Sequence, residues 1–106
     1  MAMLDGIRIV DLSSVIFGPY ATQMLADMGA DVIKVEPPTG EVSRYIGRRA
    51  KTPGMGSNHM TLNRGKRSIV LDLKQPADAD TMRTLIGTGD VFVHNIRGKA
   101  IEKLGL

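Results

Sequence analysis

The sequence predicts an α/β fold, a parallel sheet flanked by helices, on three observations. Short apolar runs alternate with segments of helical period along the chain. Pro and Gly stand where those segments begin and end. Two of the apolar runs bracket a single helix-period segment between Ile7 and Glu36, a βαβ unit whose strands must be parallel and whose crossover is right-handed.

That first unit sets the rest. Ile7, Ile9 and Val10 form a strand that ends at Asp11. Ser13 to Gly18 is a loop of small and polar residues with apolar interruptions. Pro19 suits the first helical position, where its missing N–H has no partner to lose. Ala21, Met24, Leu25 and Met28 fall at i, i+3, i+4 and i+7 and predict the buried face. Gly29 is placed to end the helix in a left-handed conformation. Val32, Ile33 and Val35 make the second strand, stopped by Pro37 and Pro38. Ligands in such folds bind beyond the carboxyl ends of the strands, here Asp11–Gly18 and Glu36–Glu41.

From Thr39 to Met60 periodicity is lost, Gly and Pro recur, and Arg44, Arg48, Arg49 and Lys51 make the segment basic. Loops and short helices over the carboxyl edge of the sheet are expected there. Asn63 to Arg67 is a polar turn. Ile69, Val70, Leu71 and Leu73 read as a buried strand. Pro76 opens a helix with Asp78 and Asp80 near its positive end. Met82, Leu85 and Ile86 supply its buried face, and Gly87 and Gly89 end it. Asp90 to Val93 is a fourth strand, His94 to Gly98 a turn, and Lys99 to Leu104 a short helix.

The chain has 106 residues, 42% hydrophobic and 24% charged, ordinary values for one globular domain. Its rings are only Phe17, Tyr20, Tyr45 and Phe92, too few for a stacking platform for single-stranded nucleic acid. Cysteine is absent, which excludes disulfides and thiolate chemistry. No apolar run reaches the roughly 20 residues of a membrane span, and Met1–Gly6 carries no signal-peptide pattern. A cytoplasmic protein is the expectation, with no membrane and no nucleic-acid partner. The net charge is +3 and the cations are clustered: 44–51, then Arg64, Lys66, Arg67 and Lys74, then Arg97, Lys99 and Lys103. A solvated face is one reading of these groups. An anion site is the other, favoured because all three fall in loops or at strand ends.

Several motifs are excluded. The first turn, Ser13 to Gly18, has one glycine and no dinucleotide fingerprint, although Glu36 stands where a ribose-binding acid would. Gly65-Lys66 lacks the other glycine of a Walker loop. Ser13 and Ser14 sit in no nucleophile elbow. His59 and His94 have no third ligand suggested, so no metal is expected.

Leu4-Asp5-Gly6-Ile7-Arg8-Ile9-Val10-Asp11, leading into Gly18-Pro19, resembles the opening of the class III CoA-transferases (CaiB/BaiF type). These include formyl-CoA transferase, carnitine CoA-transferase and α-methylacyl-CoA racemase. The likeness continues through Leu25 to Glu36, Asn63 to Ile69 with Leu71 to Lys74, Asp90 to Asn95, and Leu104-Gly105. It implies that residues 1–106 are the N-terminal segment of a large, Rossmann-like CoA-binding domain. It also implies a homodimer of interlocked subunits, acyl-CoA and a carboxylate acceptor as partners, and coenzyme A, without metal, as the bound molecule. The family's nucleophile is an Asp further along the chain than Leu106, so no catalytic residue is expected here.

Position by position, the resemblance puts Val15, Ile16 and Phe17 under the thioester and pantetheine. Several relatives have Gln at Ile16. Pro37 stands where some place an Arg against the adenine. Leu71, Asp72, Leu73 and Lys74 match a segment packed on the adenosine, although simple core packing explains Leu71 and Leu73 equally well. Asn95, Ile96 and Arg97 match the turn after the fourth strand, with Ile96 replacing an aromatic residue. Lys103 matches a basic position near the phosphates. The implied activity is transfer of CoA between an acyl-CoA and a carboxylic acid through an aspartyl-CoA. The alternatives are an α-methylacyl-CoA racemase and a non-catalytic CoA- or polyanion-binding domain.

Overall fold

The computed structural model describes residues 1–106. Its elements are β1 (Arg8–Asp11), α1 (Phe17–Asp27), β2 (Asp31–Glu36), a 3₁₀ helix (Val42–Tyr45), α2 (Ser57–Leu62), β3 (Arg67–Val70), α3 (Pro76–Gly87), β4 (Val91–Val93) and α4 (Gly98–Lys103). All strand pairs are parallel, in the order β3-β2-β1-β4. The α/β fold read from the sequence is therefore the observed one. The order reverses between β1 and β4, and a crevice at the carboxyl ends of those strands is where a doubly wound sheet accepts ligands.

The two faces of the sheet differ. On one, Val10, Val35, Leu71 and Met82 form a buried apolar cluster, joined by Leu85, Ile86 and Phe92. This is the face α3 covers, with Met82 wholly buried as its periodicity predicts. On the other, Ile9, Ala30 and Val32 pack with Leu25 and Ala26 of α1. That apolar row gives way, toward the carboxyl end, to a charged row: Asp11 pairs in register with Lys34, and Lys34 with Ser68. Side chains of one face repeat every second residue. So Val32, Lys34 and Glu36 share this face, and Lys34 and Glu36 are 1% and 2% exposed.

Three element-level expectations need correction. The buried residues of α1 are Pro19, Thr22 and Gln23, whereas Met24 and Met28 are 41% and 44% exposed. The helix turns a polar face inward because the sheet beneath it is charged; the Thr22 hydroxyl donates to Asp11 Oδ2 at 2.6 Å. Pro19 is the third residue of α1, still in the first turn where no backbone donor is required. The third strand is not buried. It ends at Val70 on the sheet edge, with Val70 57% exposed, and Leu71 and Leu73 lie in the turn beyond it. Gly29 does close the α1 turn with φ of 101°.

Candidate functional site

The loop after β1 occupies the strand-order reversal, and side chains from distant elements hold its backbone. The Ser13 amide donates to Asp11 Oδ1 at 2.9 Å, and the Ser13 carbonyl accepts from Lys34 Nζ at 3.0 Å. The Ser14 amide donates to Asn95 Oδ1 at 3.1 Å, and the Ser14 carbonyl accepts from Asn95 Nδ2 at 2.8 Å. The Val15 amide donates to Glu41 Oε1 at 3.0 Å. Asn95 thus reads both polar groups of one peptide residue across the β1–β4 crevice, a pairing an amide side chain is built for. Gly18 fits this corner because a Cβ there would come within 2.4 Å of the Ser13 side chain.

Val15 has φ of 70°, and it is the one non-glycine residue with positive φ. A β-branched residue there is strained by about 1–3 kcal/mol and persists only when its surroundings over-determine it. Beyond it Ile16 and Phe17 project outward, 47% and 88% exposed. Phe17 continues an exposed stripe along α1 with Tyr20, Met24 and Met28.

Beneath the loop is a buried ionic network. Lys66 Nζ contacts Asp11 Oδ2 at 3.0 Å with both side chains at or below 1% exposure. Arg44 grips Glu36 with two bonds, Nε to Oε1 at 2.9 Å and Nη2 to Oε2 at 2.8 Å. Glu36 also accepts from Ser68 Oγ at 2.9 Å and from the Glu41 amide at 3.2 Å. Burial alone would raise the Glu36 carboxyl; the donors Arg44 and Ser68 outweigh it and lower it from 4.5 to about 2. Asp11 is likewise lowered: burial opposes, but Ser13, Thr22 and the charge of Lys66 prevail. Glu41 is lowered by Ser43 and the Val15 amide, again against burial. Burial and the charge of Arg44 push the His59 imidazole down, so it is held toward its neutral form.

The profile of CoA-transferase family III matches residues 4–106. The chain belongs to that family. A succinate–glutarate CoA-transferase of Agrobacterium fabrum is 47% identical over 110 residues, 97% of this chain and 27% of the relative. A formyl-CoA:oxalate CoA-transferase of Streptomyces avermitilis is 42% identical over 96% of this chain and 25% of its own length. The solved structure of a CAIB/BAIF family protein from Brucella suis superposes with a TM-score of 0.89 at 34% identity, covering 99% of this chain and 29% of that one. The chain therefore spans about a quarter of the length of these curated relatives.

On this family III segment the sequence-predicted positions 15–17, 37, 71–74 and 95–97 follow the carboxyl ends of their strands, whereas Lys103 lies at the far end of α4, next to the Gly105 carbonyl that accepts from Arg83 of α3. Val15–Phe17 and Asn95–Arg97 meet at the crevice, joined by the Ser14–Asn95 bonds. Pro37 follows β2 and is exposed; residues 71–74 follow β3 at the far edge. Three strand spacings separate that edge from β4, about 14 Å. Leu71 is 6% exposed and packs in the apolar cluster with Leu73 beside it, and its amide donates to the Glu36 carbonyl at 2.9 Å. Asp72 has a turn role: its carboxylate accepts from the Lys74 amide at 3.1 Å, while its own amide donates to Asp78 at 2.8 Å. Lys103 sits exposed at the end of α4.

The cation clusters resolve into two kinds. Arg44, Arg64, Lys66 and Arg67 are paired with Glu36, Asp27, Asp11 and Asp31, so these four serve the fold rather than an external anion. Lys74, Arg97, Lys99 and Lys103 make no ion pair, nor do Arg48, Arg49 and Lys51 of the first cluster. Glu36, in the ribose-acid position, is sealed by Arg44 and Ser68 and cannot face a ribose. A hollow of about 370 Å³ lies within the basic excursion, lined by Arg49, Lys51 and Met55 among others, and none of the predicted CoA positions borders it. Sequence reasoning missed Lys34 as part of the site, and it placed Ser14 and Glu41 within the ligand-facing segments without giving either a role. A lysine inside the apolar run Val32–Val35 was the available signal for Lys34.

Proposed function

We propose that this segment binds coenzyme A thioesters and belongs to an enzyme that moves CoA between an acyl-CoA and a carboxylic acid. The observation that carries the reading is the crevice between β1 and β4. There an ordered loop presents Val15, Ile16 and Phe17, the turn bonded to it carries the unpaired cation Arg97, and α4, which follows that turn, carries the unpaired Lys99 and Lys103. CoA has this same division, an apolar pantetheine arm and a multiply phosphorylated nucleotide. Charge-assisted bonds from Lys and Arg suit the phosphates, and apolar side chains suit the arm.

In the transfer reaction a carboxylate attacks the thioester, giving an acyl anhydride and free CoA thiolate. The thiolate then attacks the aspartyl carbonyl of the anhydride, forming an aspartyl-CoA and releasing the donor carboxylate. The acceptor carboxylate attacks that thioester, expelling the thiolate, which takes the acceptor acyl group from the second anhydride and frees the Asp. The carboxylate of the first step is assigned to an Asp outside residues 1–106. Within them no aspartate matches the family's nucleophile, so the chain by itself is expected to be inactive; the buried acids Asp11, Glu36 and Glu41 are engaged in internal bonds. Its part is to bind, orient and shield the thioester. Assembly with a second copy follows the family and is part of the proposal. No helix here is long and apolar enough to cross a membrane.

Calorimetry tests the reading. CoA should bind, and more tightly than an oligonucleotide of equal charge; the reverse order overturns it. Lys103→Ala should weaken CoA binding with the fold intact. In the complete enzyme, solvent deuterium entering the α-carbon without any acceptor acid would favour racemisation over transfer.

A further inference from the structure

The geometry points to Glu41 as a positioning residue: its bond to the Val15 amide holds the strained loop on which the acyl end of the thioester is proposed to rest. The inference rests on the CoA reading for its consequence, but not for its structural content. The Val15 side chain is 43% exposed, so packing does not enforce its positive φ. The Glu41 carboxylate is the partner of its amide. A rotation about φ of Val15 redirects the chain that follows, and so decides where Ile16 and Phe17 stand.

Glu41 is itself rigid. It is 4% exposed, and its second oxygen accepts from the Ser43 amide at 2.9 Å and from the Ser43 hydroxyl. The 3₁₀ helix that carries Ser43 also carries Arg44, whose two hydrogen bonds to Glu36 tie it to the end of β2. The path from sheet to loop is thus Glu36, Arg44, the 3₁₀ helix, Glu41, Val15. An ionised acceptor makes the stronger bond to an amide, and Glu41 is kept ionised by its donors.

The test is a double-mutant cycle between Glu41→Ala and Val15→Gly, because glycine adopts positive φ without strain. In Glu41→Ala the Val15 amide should exchange with solvent about 10-fold faster and acetyl-CoA affinity should fall about 10-fold, as release of that strain implies. Affinity for adenosine 3′,5′-bisphosphate, the nucleotide half alone, should stay within about 2-fold. In the Val15→Gly background the same Glu41→Ala change should cost acetyl-CoA less than about 3-fold. An unchanged Val15 exchange rate, an equal loss of the bisphosphate, or an equal cost in both backgrounds each overturns the inference. Should Glu41→Ala fail to fold, Glu41→Gln, which keeps one carbonyl acceptor, carries the same cycle. If the wild-type chain binds neither probe, the CoA reading falls, while the exchange comparison still decides the role of Glu41.

Discussion

At the amino end of the sheet, Asp31 accepts from Arg8 and Arg67 at 3.0 and 2.7 Å, with side chains 37–63% exposed. At the carboxyl end, Asp11 meets Lys66 at the same 3.0 Å with both side chains at or below 1%. The distances are similar and each is a cation on an aspartate, a guanidinium at one end and an ammonium at the other; the larger difference is solvent. Exposed pairs are screened and contribute about 0–1 kcal/mol. Buried pairs contribute little as pairs, yet losing one member strands a charge without water and costs about 3–5 kcal/mol. The amino-end pairs trim the surface. The carboxyl-end pairs lie beneath the loop that we propose faces the ligand.

The strongest way to break this comparison is Lys66→Ala. It leaves Asp11 ionised in a dry site and should lower the unfolding free energy by about 3–5 kcal/mol in urea titration. A loss below about 1 kcal/mol would make the two ends equivalent.

Acid should come next. Glu36 has its folded value depressed from 4.5 to about 2, so its contribution is present above 4.5 and is lost as pH falls from there toward 2. That shift corresponds to about 3 kcal/mol. Thermal melts should show a steep fall in stability across that window, and Glu36→Gln should flatten it. Asp11 and Glu41, lowered in the same direction, add to the slope.

Asn95→Ala removes all three bonds to Ser14, two to its backbone and one to its hydroxyl, at a partly solvated site, and should cost about 1–2 kcal/mol of stability. CoA binding should weaken more than stability does, because the change opens the crevice itself. The smallest effect belongs to Arg67→Ala, under about 1 kcal/mol and abolished in 1 M salt. An Arg67 variant as damaging as the Lys66 one would sink the comparison from the other side.

Much of the fold was legible because its signals are local. The β1–α1–β2 unit, the Pro76 start of α3 and the buried Met82 all follow from apolar period and from Pro and Gly. The buried face of α1 was not. A 3.6-residue apolar period marks a face, but it does not say what that face will meet. The sheet offers α1 an ionic row, so Thr22 and Gln23 turn in and Met24 and Met28 turn out. The same limit applied to the cations. Arg97 and Lys103 read as free and are free, whereas Lys66 and Arg44 read alike but find Asp11 and Glu36 across gaps of 55 and 8 residues.

The sequence by itself determined the order of strands and helices and the parallel sense of the sheet. Those depend on neighbours a few residues apart. The tertiary structure alone decided which charges are buried with partners and which are left for solvent. It also decided that Val15 is held in a strained turn by Glu41, a residue 26 positions on. Burial and charge pairing are set by what folds over a side chain, and that covering comes from segments the local pattern does not name.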